Sequence, residues 1–187
     1  WDSVTQEILD HTSKGKAILV GTRSIKESET LSKKLNDLGI NTTVLNALRH
    51  EKEAMIIAQA GKRGKVTIAT NMAGRGTNIL VDSDVIEAGG LHVIATERHE
   101  SRRVDMQLFG RTARQGLPGS AQMIGSLDDE VMRRFTHSWL VALLKKIVTT
   151  RLGKKIALLL YIFFQHRAEK SISRSRKKIL QQDLNLS

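Results

Sequence analysis

Between residues 16 and 125, apolar positions come in short runs, each followed by a longer stretch with apolar residues at helical spacing. The runs Ala17–Val20, Thr43–Leu45, Val66–Ala69, Leu91–Ala95 and Ala121–Ile124 read as strands. The stretches Ser24–Leu38, Glu51–Ala60, Asp84–Ala88 and Ser101–Arg114 read as helices, and Val4–His11 as a helix before the first strand. Short β-rich runs in strict alternation with helices predict a parallel sheet covered by helices on both faces. Ser24 and Glu27 have the spacing of a capping box, in which each side chain satisfies the other's free backbone N–H. Ile25, Leu31, Leu35 and Leu38 share that helix's apolar face, and Gly39 suits a left-handed stop. The pair Pro118-Gly119 turns the chain into the last strand.

After Phe135 the pattern changes. Residues 138–164 read as apolar helix punctuated by Lys145, Lys146, Arg151, Lys154 and Lys155, and residues 165–183 as charged helix. No proline follows Pro118, so one or two long helices can run here. Two domains are expected, 1–135 and 136–187. The longest apolar run, Ile156 to Phe164, is far short of the roughly 20 residues of a spanning helix, so no transmembrane segment is expected. No secretory signal is visible, and Trp1 and Ser187 read as the edges of a fragment.

The charge follows the same division. Residues 1–135 carry 19 Lys and Arg against 17 Asp and Glu, whereas residues 136–187 carry 11 against 2. The formal net charge of +11 therefore sits mostly on the tail. Such a tail is drawn to anionic lipid, nucleic acid or acidic protein, or is the solvated face of a long helix. Its apolar residues, Trp139 and Phe163 among them, call for a partner: the α/β domain, another copy of the chain, or an anionic membrane surface. The absence of cysteine excludes a disulfide scaffold, thiolate chemistry and cysteine-ligated zinc.

The chain has no G-x-x-x-x-G-K-[ST] loop; Gly61-Lys62-Arg63-Gly64-Lys65 has the wrong spacing. It therefore lacks the backbone cradle for phosphates and the hydroxyl that holds magnesium. No metal-ligand spacing is apparent, and the six histidines read as surface or structural residues. The chemistry-bearing segments instead follow strands, where a parallel sheet keeps its ligands. Thr70-Asn71-Met72-Ala73-Gly74-Arg75-Gly76-Thr77-Asn78 follows Val66–Ala69, and Thr96-Glu97-Arg98-His99-Glu100-Ser101-Arg102-Arg103 follows Leu91–Ala95. The next helix ends in Gln107-Leu108-Phe109-Gly110-Arg111-Thr112-Ala113-Arg114-Gln115-Gly116. A Gly-Arg step lets a guanidinium pass a backbone with little bulk, and arginine grips phosphate bidentately. The alternative is that Arg98, Arg102 and Arg103 pair with Glu97, Glu100 and Asp105.

Thr70–Asn78 resembles motif V of superfamily 2 helicase-type motors, and Gln107–Gly116 resembles their motif VI. Within those motors Ile68–Thr77, Gly90–Ile94, Thr96–Arg103, Leu19–Ser24, Ala58–Gly61 and Met132–Phe135 look specifically like the SecA preprotein translocase ATPases. The resemblance is dense over about residues 15–135, looser over 165–183 and poor over 136–164. It implies an α/β, RecA-like parallel sheet with an α-helical C-terminal extension of scaffold type. It also implies the second motor domain, which closes on ATP whose phosphate loop and Mg2+ belong to an N-terminal RecA-like half. Arg75 and Arg114 match the arginines that reach the γ-phosphate, and Arg111 a supporting arginine. Gly74, Gly76, Thr77 and Asn78 match the motif V loop, and Gln107 and Gly110 belong to motif VI. The implied partners are that N-terminal half, a SecYEG-type channel and unfolded preprotein, with the protein in the cytoplasm and peripheral at the inner face of the plasma membrane. Arginine fingers of this kind are worth about 10³–10⁵ in rate, but this chain alone is expected to hydrolyse nothing.

Several positions depart from the family pattern. Asn78 stands where the family has Asp, Ala113 where it has Gly, and Met106, Phe109 and Leu117 replace Asn, Arg and Asp. If residue 113 needs a left-handed backbone, alanine costs about 1–2 kcal/mol there. A divergent paralogue with weakened turnover is the expectation. Two alternatives remain at this point: the C-terminal domain of a nucleic-acid helicase, and a non-catalytic SecA-like protein that docks through its tail.

Overall fold

The computed structural model describes residues 1–45, 50–70, 78–99 and 101–186. The chain forms two compact units, one of residues 1–97 and 104–124, the other of residues 98–103 and 125–187.

In the first unit, strands β1 (Ile18–Thr22), β2 (Thr42–Leu45), β3 (Val66–Thr70), β4 (Leu91–Ala95) and β5 (Gly119–Met123) alternate with helices α1 (Asp2–Ser13), α2 (Ile25–Asp37), α3 (His50–Gln59), α4 (Ser83–Glu87) and α5 (Arg102–Phe109). Every strand pairing is parallel, in the order β2-β3-β1-β4-β5. The five strands arise where the apolar runs predict them. Alternate residues of one strand point to opposite faces, so β1 supplies both cores. Ile18 and Val20 join Val4 and Ile8 of α1 and Leu31 and Leu35 of α2. Leu19 joins Ile57 of α3 and Val85 of α4 on the other face, with Leu108 and Phe109 of α5 packed against them.

The boundaries of α2 are set by sequence. Ser24 Oγ accepts from the Glu27 N–H at 3.2 Å, and Glu27 Oε2 accepts from the Ser24 N–H at 3.2 Å. At the other end Gly39, at φ +79°, donates to Asn36, and Ile40 donates to Leu35, the paired bonds of a Schellman stop.

Helix α5 is shorter than the sequence pattern predicts. It ends at Phe109 rather than Arg114, because Gly110 weakens it and Thr112 turns its hydroxyl to the Leu91 carbonyl at 2.5 Å instead of extending the helix.

The second unit contains α6 (Glu130–Phe135), α7 (Ser138–Ile147) and α8 (Arg151–Leu186, 36 residues). Residues 157, 161, 164 and 168 of α8 are buried at helical spacing. Ala157, Tyr161 and Phe164 form a core with Val131 and Met132 of α6 and Leu144 of α7. Part of the apolar tail therefore finds its partner inside the tail itself. Thr150 Oγ1 caps α8 by accepting from the Gly153 N–H at 3.0 Å. Gly153 also allows a close approach, since a Cβ there would lie 1.8 Å from the Ile147 carbonyl oxygen. Among the described residues no helix is long and apolar enough to cross a membrane.

Candidate functional site

The helix α5 runs back from the carboxyl edge of the sheet, so the loop after it lies beside the amino-terminal ends of β4 and β5. The sequence reading associates all three arginine-bearing segments with carboxyl ends of strands. The segment following β3, residues 71–77, lies outside the described residues, and Arg111 and Arg114 sit at the opposite edge, beside the Leu91 carbonyl at the start of β4.

The loop from Gly110 to Leu117 is built from unusual backbone. Ala113 has φ 52° and ψ 39°, and Gln115 has φ 54° and ψ 31°. Both are left-handed without being glycine, which costs about 1–2 kcal/mol at each position. What holds the loop is a set of hydrogen bonds. Besides Thr112 to Leu91, the Arg114 Nε donates to the Gly110 carbonyl at 2.6 Å, and its Nη1 donates to Asn78 Oδ1 at 3.0 Å. The guanidinium thus lies over the glycine carbonyl, as a Gly-Arg step permits. Among the described residues these are the hydrogen-bond partners of Arg114, which leaves Nη2 for a ligand.

Arg111 is half-buried in the same loop. Burial, and then the neighbouring Arg114 charge, lower its pKa from the ordinary arginine value. It remains a cation, because arginine starts so far above neutral pH. The loop thus carries two guanidinium groups, a chemical group that pairs with the oxygens of a phosphoryl group.

Of the residues singled out in sequence, the structure brings Asn78, Gly110, Arg111 and Arg114 into this loop region. Gln107 is exposed on the last turn of α5. Gly74, Arg75, Gly76 and Thr77 lie outside the described residues, as does Glu100.

Among the arginines after β4, the Arg98 side chain is held by α8 rather than by Glu97 or Asp105. Arg98 Nη1 donates to Gln165 Oε1 at 2.5 Å, and its backbone N–H donates to the Tyr161 hydroxyl at 3.2 Å. Gln165 Nε2 donates to the His99 carbonyl at 3.0 Å, and the Arg102 N–H donates to Glu169. Tyr161, Gln165 and Glu169 are spaced four residues apart, so one face of α8 holds backbone groups of Arg98, His99 and Arg102. Tyr161 also donates to Asp129. Glu97, nearly buried, has Arg23 at 3.5 Å, bringing together the ends of β4 and β1. Sequence reasoning missed Arg23, and nothing in its spacing from Glu97 gave the pairing away.

The tail also forms a groove of ≈ 590 Å3 lined by Phe135 and by Arg167, Lys170, Ser171, Arg174 and Lys178 of α8. Its cations recur every three or four residues and so share one face of the helix.

A five-stranded parallel sheet with this order and two-sided helical cover is a RecA-like α/β fold. Domain 2 of the DEAD-box helicase Mss116p, solved with an RNA duplex, superposes with a TM-score of 0.50 at 15% identity, covering 92% of this chain and 72% of that one. The Escherichia coli DEAD-box protein SrmB, solved bound to the regulator of ribonuclease activity RraA, gives 0.52 at 23% identity over 67% of this chain and 75% of that one. The sequence is more specific. The SecA P-loop domain profile matches residues 1–86 and 80–151, and the chain belongs to that family. It is 51% identical over 82% of its length to protein translocase subunit SecA 2 of Bacillus cereus. It is 57% identical over 72% of its length to protein translocase subunit SecA of Caldicellulosiruptor saccharolyticus. It spans 19% and 16% of those two proteins.

Proposed function

We propose that residues 1–135 act as the second RecA-like motor domain of a SecA-like ATPase, with residues 136–187 as a scaffold-like extension. In this reading Arg114 and Arg75 reach the γ-phosphate of ATP held on another RecA-like domain, and Arg111 supports them. Gly74, Gly76, Thr77 and Asn78 shape the motif V loop, and Gln107 and Gly110 the motif VI turn. The carrying observation is the Gly110–Leu117 loop, in which Arg114 Nε and Nη1 are held by this chain and Nη2 has no partner among the described residues. These residues fit the phosphate end of a nucleotide and nothing more. The phosphate loop and the Mg2+ ligands would come from outside residues 1–187.

Arginine in such a position spreads positive charge over oxygens that gain negative charge as the γ-phosphoryl leaves. A left-handed Ala113 and a neutral Asn78 hold that arginine less firmly than glycine and aspartate would, so turnover is slowed and not abolished. The parent protein would move unfolded preprotein through a SecYEG-type channel from the cytoplasmic face of the plasma membrane. The cation-lined groove on α8 supports contact with anionic lipid there.

The test is ATP hydrolysis by this chain alone and after mixing with the phosphate-loop half of its parent. Silence alone and activity on mixing are expected. No hydrolysis from folded, associated halves would overturn the reading.

A further inference from the structure

Glu7 and His11 are four residues apart on α1, and His92 lies on β4, far away in sequence. The fold brings one ligand atom from each to within 4.8 Å of the others. The imidazole rings stack with centroids 3.7 Å apart and planes 14° from parallel. Both Nε2 atoms face one carboxylate oxygen, Glu7 Oε1, at 3.0 Å from His11 and 3.5 Å from His92. A tetrahedral zinc with bonds of about 2.0–2.1 Å separates its ligand atoms by roughly 3.4 Å, close to the two distances to Glu7 Oε1.

His92 supplies the independent sign. Its side chain is 3% exposed, yet its Nε2 has no hydrogen-bond partner and is aimed at the carboxylate. Its other nitrogen, Nδ1, lies 2.8 Å from Ser120 Oγ. Ser120 Oγ has two lone pairs and also accepts from Lys16 Nζ at 3.3 Å. In the tautomer whose Nδ1–H donates to Ser120, the Nε2 lone pair lies on the Glu7 side, the arrangement metal-bound histidines use. Burial first, then His11 and Lys16, push the His92 pKa down to about 4, so the ring is neutral at neutral pH.

We propose that Glu7, His11 and His92 bind one divalent cation of the zinc type, clasping α1 to β4. Two imidazoles and one carboxylate are a borderline donor set that favours Zn2+ over Mg2+ or Ca2+. Glu7 and His11 are partly exposed, at 22% and 17%, which gives the ion an entrance and water the fourth position. Binding requires the His11 ring to swing out of its stack on His92, so that the two in-plane Nε2 lone pairs converge, and to move its proton from Nε2 to Nδ1. The bound ion would brace the start of β4, where the Leu91 carbonyl anchors Thr112.

The test is calorimetric titration of the untagged 187-residue chain with ZnCl2, paired with the visible spectrum of the Co2+-loaded chain. One equivalent of zinc, a tetrahedral Co2+ band and a higher melting temperature with zinc are expected. Glu7→Gln and His11→Ala, both at partly exposed positions, should each weaken zinc at least about tenfold. Their metal-free circular dichroism should stay that of the wild type, and His166→Ala, on α8, should bind as the wild type does. Absence of stoichiometric binding by the folded chain, or binding that both variants leave unchanged, would overturn the proposal.

Discussion

Arg114 Nη1 donates to Asn78 Oδ1 at 3.0 Å, which joins the loop after α5 to the first described residue after β3. These are two of the positions at which the sequence departs from, or matches, its relatives' nucleotide motifs. A carboxamide there is a neutral acceptor, where a carboxylate would form a charge-assisted bond. Asn78→Asp should therefore fix Arg114 more firmly. Asn78 is exposed, so solvent limits the gain to about 1 kcal/mol, or up to roughly fivefold in the ATPase rate of the reconstituted motor. Steady-state hydrolysis by the mixed halves checks it, and an unchanged rate removes this bond from the account.

Ala113 stands at φ 52°, where glycine has no steric penalty. Ala113→Gly should stabilise the first unit by about 1 kcal/mol, since relief of left-handed strain exceeds the extra chain entropy of glycine. Urea unfolding followed at the two-unit chain's first transition measures it. A loss of stability would show that the backbone strain is not borne at this residue.

Thr112 anchors the loop through one hydroxyl. Thr112→Val keeps the shape and leaves the Leu91 carbonyl without that donor, a cost of about 1–2 kcal/mol. The same variant should lower the reconstituted ATPase rate more than its small destabilisation explains, because Arg114 follows two residues later. Equal stability to the wild type by urea titration would contradict the bond's role.

How far the sequence announces all this differs by element. The three central strands are legible because their aliphatic runs have no polar alternation, and α2 because its Ser24–Glu27 box and Gly39 stop are local signals. The left-handed backbone at residue 113 follows from a substitution against the family pattern and is present at φ 52°. The end of α5 is not legible: Arg111 to Arg114 continue the helical pattern, and only the distant Leu91 carbonyl draws Thr112 away. The ladder of Tyr161, Gln165 and Glu169 is equally hidden, since its partners are backbone groups of Arg98, His99 and Arg102. Glu7 and His11 share one face of α1, but nothing in sequence links them to His92, and a parallel sheet had to form before the three could meet.

Gly153 lies in the first turn of α8, against the end of α7. Gly153→Ala places a Cβ against the Ile147 carbonyl, a backbone atom that cannot swing aside. A loss of about 2–4 kcal/mol is expected, as for other strongly strained or overpacked sites. Thermal unfolding followed by far-ultraviolet circular dichroism should show the helical second unit melting first. An unchanged melt would mean that α7 and α8 do not approach this closely.

The central claim is that Arg114 completes a nucleotide site whose phosphate loop lies elsewhere. It is tested by ATP hydrolysis in the mixture of this chain with the phosphate-loop half of its parent, wild type against Arg114→Ala. The account predicts a fall on the order of 10³ with the halves still associated. A variant that hydrolyses ATP at the wild-type rate would contradict it.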